Sequence, residues 1–150
     1  MEKQYKIGYT TGVFDLFHIG HLNILKKAKD YCELLIVGVT IDPLVTYKLK
    51  KAVIPFEERI EIIEAIKYVD IVVPQENHNK IEAWKKYKFN VMFVGDDWKN
   101  TKEWDEYEFE FNKHGVDIVY FPYTKTTSST LINETLLNLR KPIILSRKEG

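Results

Sequence analysis

The chain has 150 residues, 45% of them hydrophobic, and its 22 lysines and arginines balance 22 aspartates and glutamates. That length buries one core and hardly two, and zero formal charge excludes the global basic field that drives non-specific nucleic-acid binding. A single cysteine, Cys32, excludes a disulfide framework, no apolar run is long enough to span a bilayer, and the amino terminus lacks a signal-peptide core, so a cytoplasmic protein with no nucleic-acid or membrane partner is expected.

In chain order, a first strand is expected over 5–12. It runs into Gly12-Val13-Phe14-Asp15-Leu16-Phe17-His18-Ile19-Gly20-His21, after which residues 19–31 carry the spacing of an amphipathic helix. The motif therefore falls at a helix N-terminus, where unpaired amides and the helix dipole favour an anion. His18 and His21 are three apart and share one face of the first turn, while Gly20 leaves room for a phosphate or ribose to approach the backbone. Two imidazoles and a glycine in that setting suit a site that grips a nucleoside triphosphate. Asp15 has two readings: it orients an imidazole or helps hold a metal, or it caps the following turn.

A second strand is expected over 34–40, with Cys32 a core or edge residue just before it. The segment Asp42–Lys51 follows and carries Lys48, Lys50 and Lys51 within four positions. Such a run is ordinarily a solvated face, although long side chains after a strand end also suit a lid. Residues 56–67 read as a helix with Ile60, Ile63 and Ile66 on its apolar face, and Arg59 near its start would ordinarily be an exposed partner for Glu57 or Glu58. A strand over 70–74 and a helix over 78–87 come next, with Lys80 and His78 surface residues by default.

The strand over 91–95 ends in Gly95-Asp96-Asp97-Trp98, where the glycine permits a sharp exit. A carboxylate there accepts a hydrogen bond from an exocyclic amine such as cytosine N4, or is an exposed turn residue. A helix over 101–114 follows, and Trp84, Trp104, Tyr107 and Phe111 lie at helical spacings as core or subunit-contact residues. A last strand over 116–121 leads through Pro122–Thr130 to a helix over 128–139, for which Ser128 or Ser129 is a good N-cap. The tail 140–150, with its apolar Pro142-Ile143-Ile144-Leu145, lies outside that core. Strands alternating with crossover helices predict one α/β domain over 1–150, a Rossmann-like parallel sheet with helices on both faces and ligands at the strands' carboxyl ends.

These residues resemble the signature of the cytidylyltransferase family within the H-x-G-H nucleotidyltransferases, most nearly its bacterial glycerol-3-phosphate members. The likeness covers about residues 5–135 through the H-x-G-H motif, the lysine segment, Phe56-Glu57-Glu58-Arg59, Tyr68-Val69-Asp70, Gly95-Asp96-Asp97-Trp98 and the Ser/Thr-rich segment at 124–130. It implies transfer of CMP from CTP to a small phosphorylated alcohol, glycerol 3-phosphate ahead of other polyol phosphates and phosphoethanolamine, with pyrophosphate leaving. The product CDP-glycerol is a precursor of cell-surface polymers. Mg2+ is implied with CTP, bridging phosphate oxygens and needing few protein ligands or none, and a homodimer is implied as the assembly.

The resemblance makes His18, His21 and Lys50 the catalytic groups and directs Lys48, and more loosely Lys80, to the acceptor. Val13, Phe14, Asp15, Gly20, Arg59, Asp97, Tyr123, Thr124, Lys125, Ser128, Ser129 and Thr130 fall to the nucleotide. The family commonly has Arg-Thr-x-Gly-Ile-Ser-Thr-Thr where this chain has Tyr123-Thr124-Lys125-Thr126-Thr127-Ser128-Ser129-Thr130. Tyr123 thus replaces the arginine, and Lys125 is the candidate substitute for its charge. Two other readings stand beside the first: AMP transfer from ATP, and a catalytically weakened nucleotide-binding regulatory protein, the latter motivated by Tyr123.

Overall fold

The computed structural model describes residues 3–46 and 51–149. Among them are five strands, β1 (Tyr5–Gly12), β2 (Cys32–Thr40), β3 (Ile71–Gln75), β4 (Val91–Gly95) and β5 (Asp117–Phe121). They form one sheet in the order β3-β2-β1-β4-β5, and every neighbouring pair is parallel. The helices are α1 (Ile19–Tyr31), α2 (Asp42–Thr46), α3 (Phe56–Glu64), α4 (Lys80–Tyr87), α5 (Lys102–Lys113) and α6 (Ser129–Glu149). After β3 the chain crosses to the far side of β1, so strand order reverses between β1 and β4. The crevice of such a sheet opens there, at the carboxyl ends.

β2 reads as an almost continuous apolar run because both of its faces are covered. Alternation sends Leu35, Val37 and Val39 to one core with Leu25 and Ala28 of α1 and Ile63 of α3. Ile36 joins Tyr9 and Met92 in the other, against Trp104 and Phe111 of α5 and the flank of α4. Helix starts follow local capping chemistry. Asn79 accepts from the amides of Ile81 and Glu82, so α4 begins at Lys80 and not at 78. Thr101 caps α5 through Trp104 N.

Three features depart from the sequence expectation. α3 stops at Glu64, three residues early, because the Ala65 and Ile66 amides turn back to Ile62 and Ile63. The strand ends at Asp42 and Asp96 carry short helical turns where loops were expected. The backbone of α6 continues to Glu149, taking in the segment expected to lie beyond the last helix. Among the described residues no helix is long and apolar enough to cross a membrane.

Candidate active site

The loop from β1 to α1 is backbone-strained. Phe14 and Leu16 adopt φ of 56° and 53°, a left-handed conformation that costs roughly 1–2 kcal/mol for each side-chain-bearing residue. Asp15 between them offsets that cost: its carboxylate accepts from Leu16 N at 3.1 Å, Val53 N at 2.8 Å and Ile54 N at 2.9 Å. Both oxygens accept from amides, so Asp15 caps the turn and ties the loop to residues 53–54, as its capping reading expects. Phe14 is buried, with its ring edge-on to His21. Its ring is therefore a wall of the site.

The two histidines form a reciprocal cap on α1. His18 Nδ1 accepts from Gly20 N at 3.0 Å, and His21 Nδ1 accepts from His18 N at 3.2 Å. An Nδ1 that accepts carries no proton, so each neutral ring has its hydrogen on Nε2, the single donor it can offer an anion. Burial lowers the pKa of His18. Burial, then the neighbouring His18, brings His21 down to about 4 against the opposing pull of Asp15. The rings lie 4.0 Å apart between centroids, and His21 is wedged between Phe14 and Phe17. Two neutral N–H donors fixed side by side are suited to charge that develops on phosphate oxygens, not to proton abstraction.

Gly20 has a different role from the one expected. A Cβ there would sit 2.7 Å from His18 Cε1 and 3.0 Å from its Nδ1. The space it leaves is filled by the His18 ring itself, which is how that ring reaches the Gly20 amide.

Arg59 is the clearest correction. Its side chain is fully buried, and its guanidinium donates to Ile54 O at 2.8 Å, Val13 O at 2.7 Å, Thr40 O at 2.8 Å and Asp42 Oδ1 at 2.6 Å. Such a fork has no face left for phosphate. It clamps the motif loop, the end of β2, the start of α2 and the lead into α3 to one another. The same bonds occupy the Val13 carbonyl. Asp42, overlooked in sequence, is the anionic partner. Burial opposes its ionisation, but the bonds from Arg59 and Phe56 N outweigh burial and hold its pKa below the ordinary value.

The 122–130 segment closes the other side. Asn23 of α1 donates to Thr124 Oγ1 at 3.0 Å, Ser129 Oγ donates to the Asp15 carbonyl at 2.8 Å, and Ser128 Oγ caps α6 through Leu131 N at 3.0 Å. Ser128, not Ser129, is the N-cap. The N-termini of α1 and α6 thereby converge on the carboxyl end of β1, two dipoles aimed at one anion site. The Tyr123 hydroxyl and the Asp97 carboxylate both stand beside Gly95, at the ends of β5 and β4. Partial burial and that carboxylate push its hydroxyl up to about 12. Lys125 and Thr130 are exposed on the same rim. Lys80 opens α4, after the end of β3. Lys48 and Lys50 lie outside the described residues, and neighbouring Lys51 is exposed. Among the described residues no group of three or more His, Cys, Asp or Glu is placed to hold a metal.

A parallel α/β sheet with paired histidines and two helix N-termini at its switch point defines a phosphate-handling nucleotide domain. The cytidylyltransferase-like family model matches residues 9–135, and the chain belongs to that family. It is 37% identical over 131 residues to the glycerol-3-phosphate cytidylyltransferase of Bacillus subtilis strain 168, covering 87% of this chain and 96% of that one. The enzyme of the same name from Staphylococcus aureus strain NCTC 8325 / PS 47 is 33% identical over 128 residues, covering 85% and 92%. In structure, the lipopolysaccharide core biosynthesis protein of Thermoplasma volcanium GSS1 shares the fold with a TM-score of 0.68 at 24% identity, over 82% of this chain and 99% of that one.

Proposed function

We propose that this chain transfers CMP from CTP to glycerol 3-phosphate, releasing pyrophosphate and CDP-glycerol. The observation that carries the reading is the pair of neutral imidazoles at the α1 N-terminus, in a chain similar along nearly its whole length to enzymes named for that reaction. An acceptor phosphate oxygen attacks the α-phosphorus of CTP as the bond to the bridging oxygen breaks, and the leaving electrons go to pyrophosphate. The acceptor phosphate is already ionised near pH 7, so no general base is required. His18 and His21 donate through Nε2 to oxygens whose charge grows during transfer, and the α1 and α6 N-termini hold the triphosphate.

Asp97 reads the cytosine amine, supported by its place in the turn that follows β4 at the carboxyl edge of the sheet. Lys48 and Lys50 contact acceptor and CTP phosphates. Mg2+ accompanies CTP and supplies charge neutralisation when bound. The carboxylates of Asp15 and Asp42 are committed to amides and to Arg59, so a bound Mg2+ would take few of its ligands from them and would come with the nucleotide. The reaction takes place in the cytoplasm.

The test is a panel of CTP, ATP and UTP against glycerol 3-phosphate, ribitol 5-phosphate and phosphoethanolamine, read by pyrophosphate release and product mass. CDP-glycerol from CTP and glycerol 3-phosphate is expected as the dominant product. Nucleotide binding without pyrophosphate release from any pair would overturn the enzyme reading in favour of a regulatory one.

A further inference from the structure

The α4 and α5 face of the sheet changes character at its carboxyl edge. Deep in the face stand Ile7, Leu34, Ile36 and Met92. The last rows are polar: Thr11 of β1 pairs in register with Gly38 of β2, and Thr40 of β2 with Gln75 of β3. Thr40 and Gln75 are 4% and 7% exposed. Buried polar groups destabilise a core unless bonded, so a cluster of them at a ligand-facing edge calls for a reason.

They stand in two groups. The hydroxyls of Tyr9 and Thr11 both stand over Gly38, and Thr11 Oγ1 donates to Gly38 O at 3.1 Å. Thr40 Oγ1 donates to Gln75 Oε1 at 2.5 Å, which leaves the Gln75 amide its NH2 donors. A Cβ at residue 38 would lie 2.6 Å from the Tyr9 hydroxyl and 3.1 Å from Thr11 Oγ1, so glycine there is what lets the hydroxyls gather. The Tyr9 ring is fixed by stacking on Phe89 at 4.9 Å and Tyr87 at 5.7 Å. Burial pushes its hydroxyl up to about 12, so it stays neutral at working pH.

Tyr9 and Gln75 of this cluster line a cavity of about 140 Å³, together with Tyr87, Asn77, Asn79 and Lys80; Tyr9 and Gln75 are buried, while Asn77 and Asn79 are exposed. The carboxylates bordering it, Glu76 and Glu82, belong to exposed residues at the outside. Lys86, also on the lining, is exposed as they are, so the buried lining is a tyrosine hydroxyl and a side-chain amide without a buried charge, which matches the hydroxyls of a neutral polyol. Gln75 of the pocket is joined to the motif loop through bonded neighbours: its Oε1 accepts from Thr40, and Arg59 bonds the carbonyls of both Thr40 and Val13.

We propose that this pocket binds the hydroxyl-bearing end of the acceptor, with Tyr9 and Gln75 as the residues that select a polyol phosphate. The inference rests on the transfer reaction proposed above and adds the residues that choose the alcohol. Its test compares wild type with Tyr9→Phe, which keeps the ring stack, and Gln75→Met, which keeps the volume. The readout is kcat/KM for glycerol 3-phosphate relative to propyl phosphate, the same chain without hydroxyls, alongside KM for CTP.

Each variant is expected to lower that ratio about tenfold by raising KM for glycerol 3-phosphate, with KM for CTP unmoved. An unmoved CTP constant also certifies that the variant folds. A wild type active on glycerol 3-phosphate whose ratio survives both substitutions overturns the pocket assignment alone. Parallel rises in both KM values likewise overturn it, because they report a disturbed scaffold. A wild type inactive with glycerol 3-phosphate overturns the transfer reading and this inference together.

Discussion

Arg59 and His21 show how side chains in this site work through their partners. A lysine at 59 keeps the charge but cannot present the planar fork that meets three carbonyls and Asp42. Arg59→Lys should lower unfolding free energy by about 2–4 kcal/mol, read by urea denaturation, because buried acceptors lose their donors. His21 yields a pH prediction. Its pKa falls from 6.5 to about 4 in the folded protein, so below pH 6.5 the unfolded chain takes up the proton first. Stability is full above pH 6.5 and declines toward pH 4, by on the order of 3 kcal/mol. Chemical denaturation across that range should reveal the slope, and His21→Asn should reduce it. Neither role was fully legible in sequence. Beside Glu57 and Glu58, Arg59 looks like an exposed helical charge. The overlooked signal was that it lies four residues before Ile63, on the stripe that α3 buries.

At the level of elements, the legible parts were those with local causes. β-branched runs bounded by turn residues placed all five strands, and the H-x-G-H motif placed the start of α1 because its own side chains make the cap. What escaped were contacts between distant segments: Asp15 to 53–54, Asn23 to Thr124, and Tyr123 to Asp97. Nothing in the local pattern encodes a contact between residues 26 apart or more. The Tyr123–Asp97 contact alters the expectation for the segment that departs from the family pattern. An arginine introduced at 123 meets the Asp97 carboxylate first, so Tyr123→Arg should leave CTP affinity within about threefold. Lys125→Ala should weaken it about tenfold by removing a charge-assisted phosphate contact. Titration calorimetry on the two variants decides the matter. Tighter binding by Tyr123→Arg together with a silent Lys125→Ala would assign the missing charge to position 123.

Taken as a whole, the molecule spends its buried surface on two sheet faces and leaves one element largely outside them. Leu131, Leu136, Leu137 and Leu139 of α6 are 46–62% exposed, an apolar series that ordinarily marks a contact surface. A homodimer using α6 is the expected assembly, and light scattering that returns a monomer throughout the micromolar range would contradict it. The proposed chemistry rests on the histidine pair, whose Nε2–H donors are held neutral and adjacent before any substrate arrives. Preorganised donors of this kind act on the transition state more than on the ground state. The decisive measurement is kcat for CDP-glycerol formation, set against the dissociation constant of CTP, for His18→Ala and His21→Ala. Each should lose about 2–4 kcal/mol in kcat, roughly 30- to 1,000-fold, while CTP binding changes only a few-fold. A loss confined to CTP affinity, with kcat intact, would contradict the account.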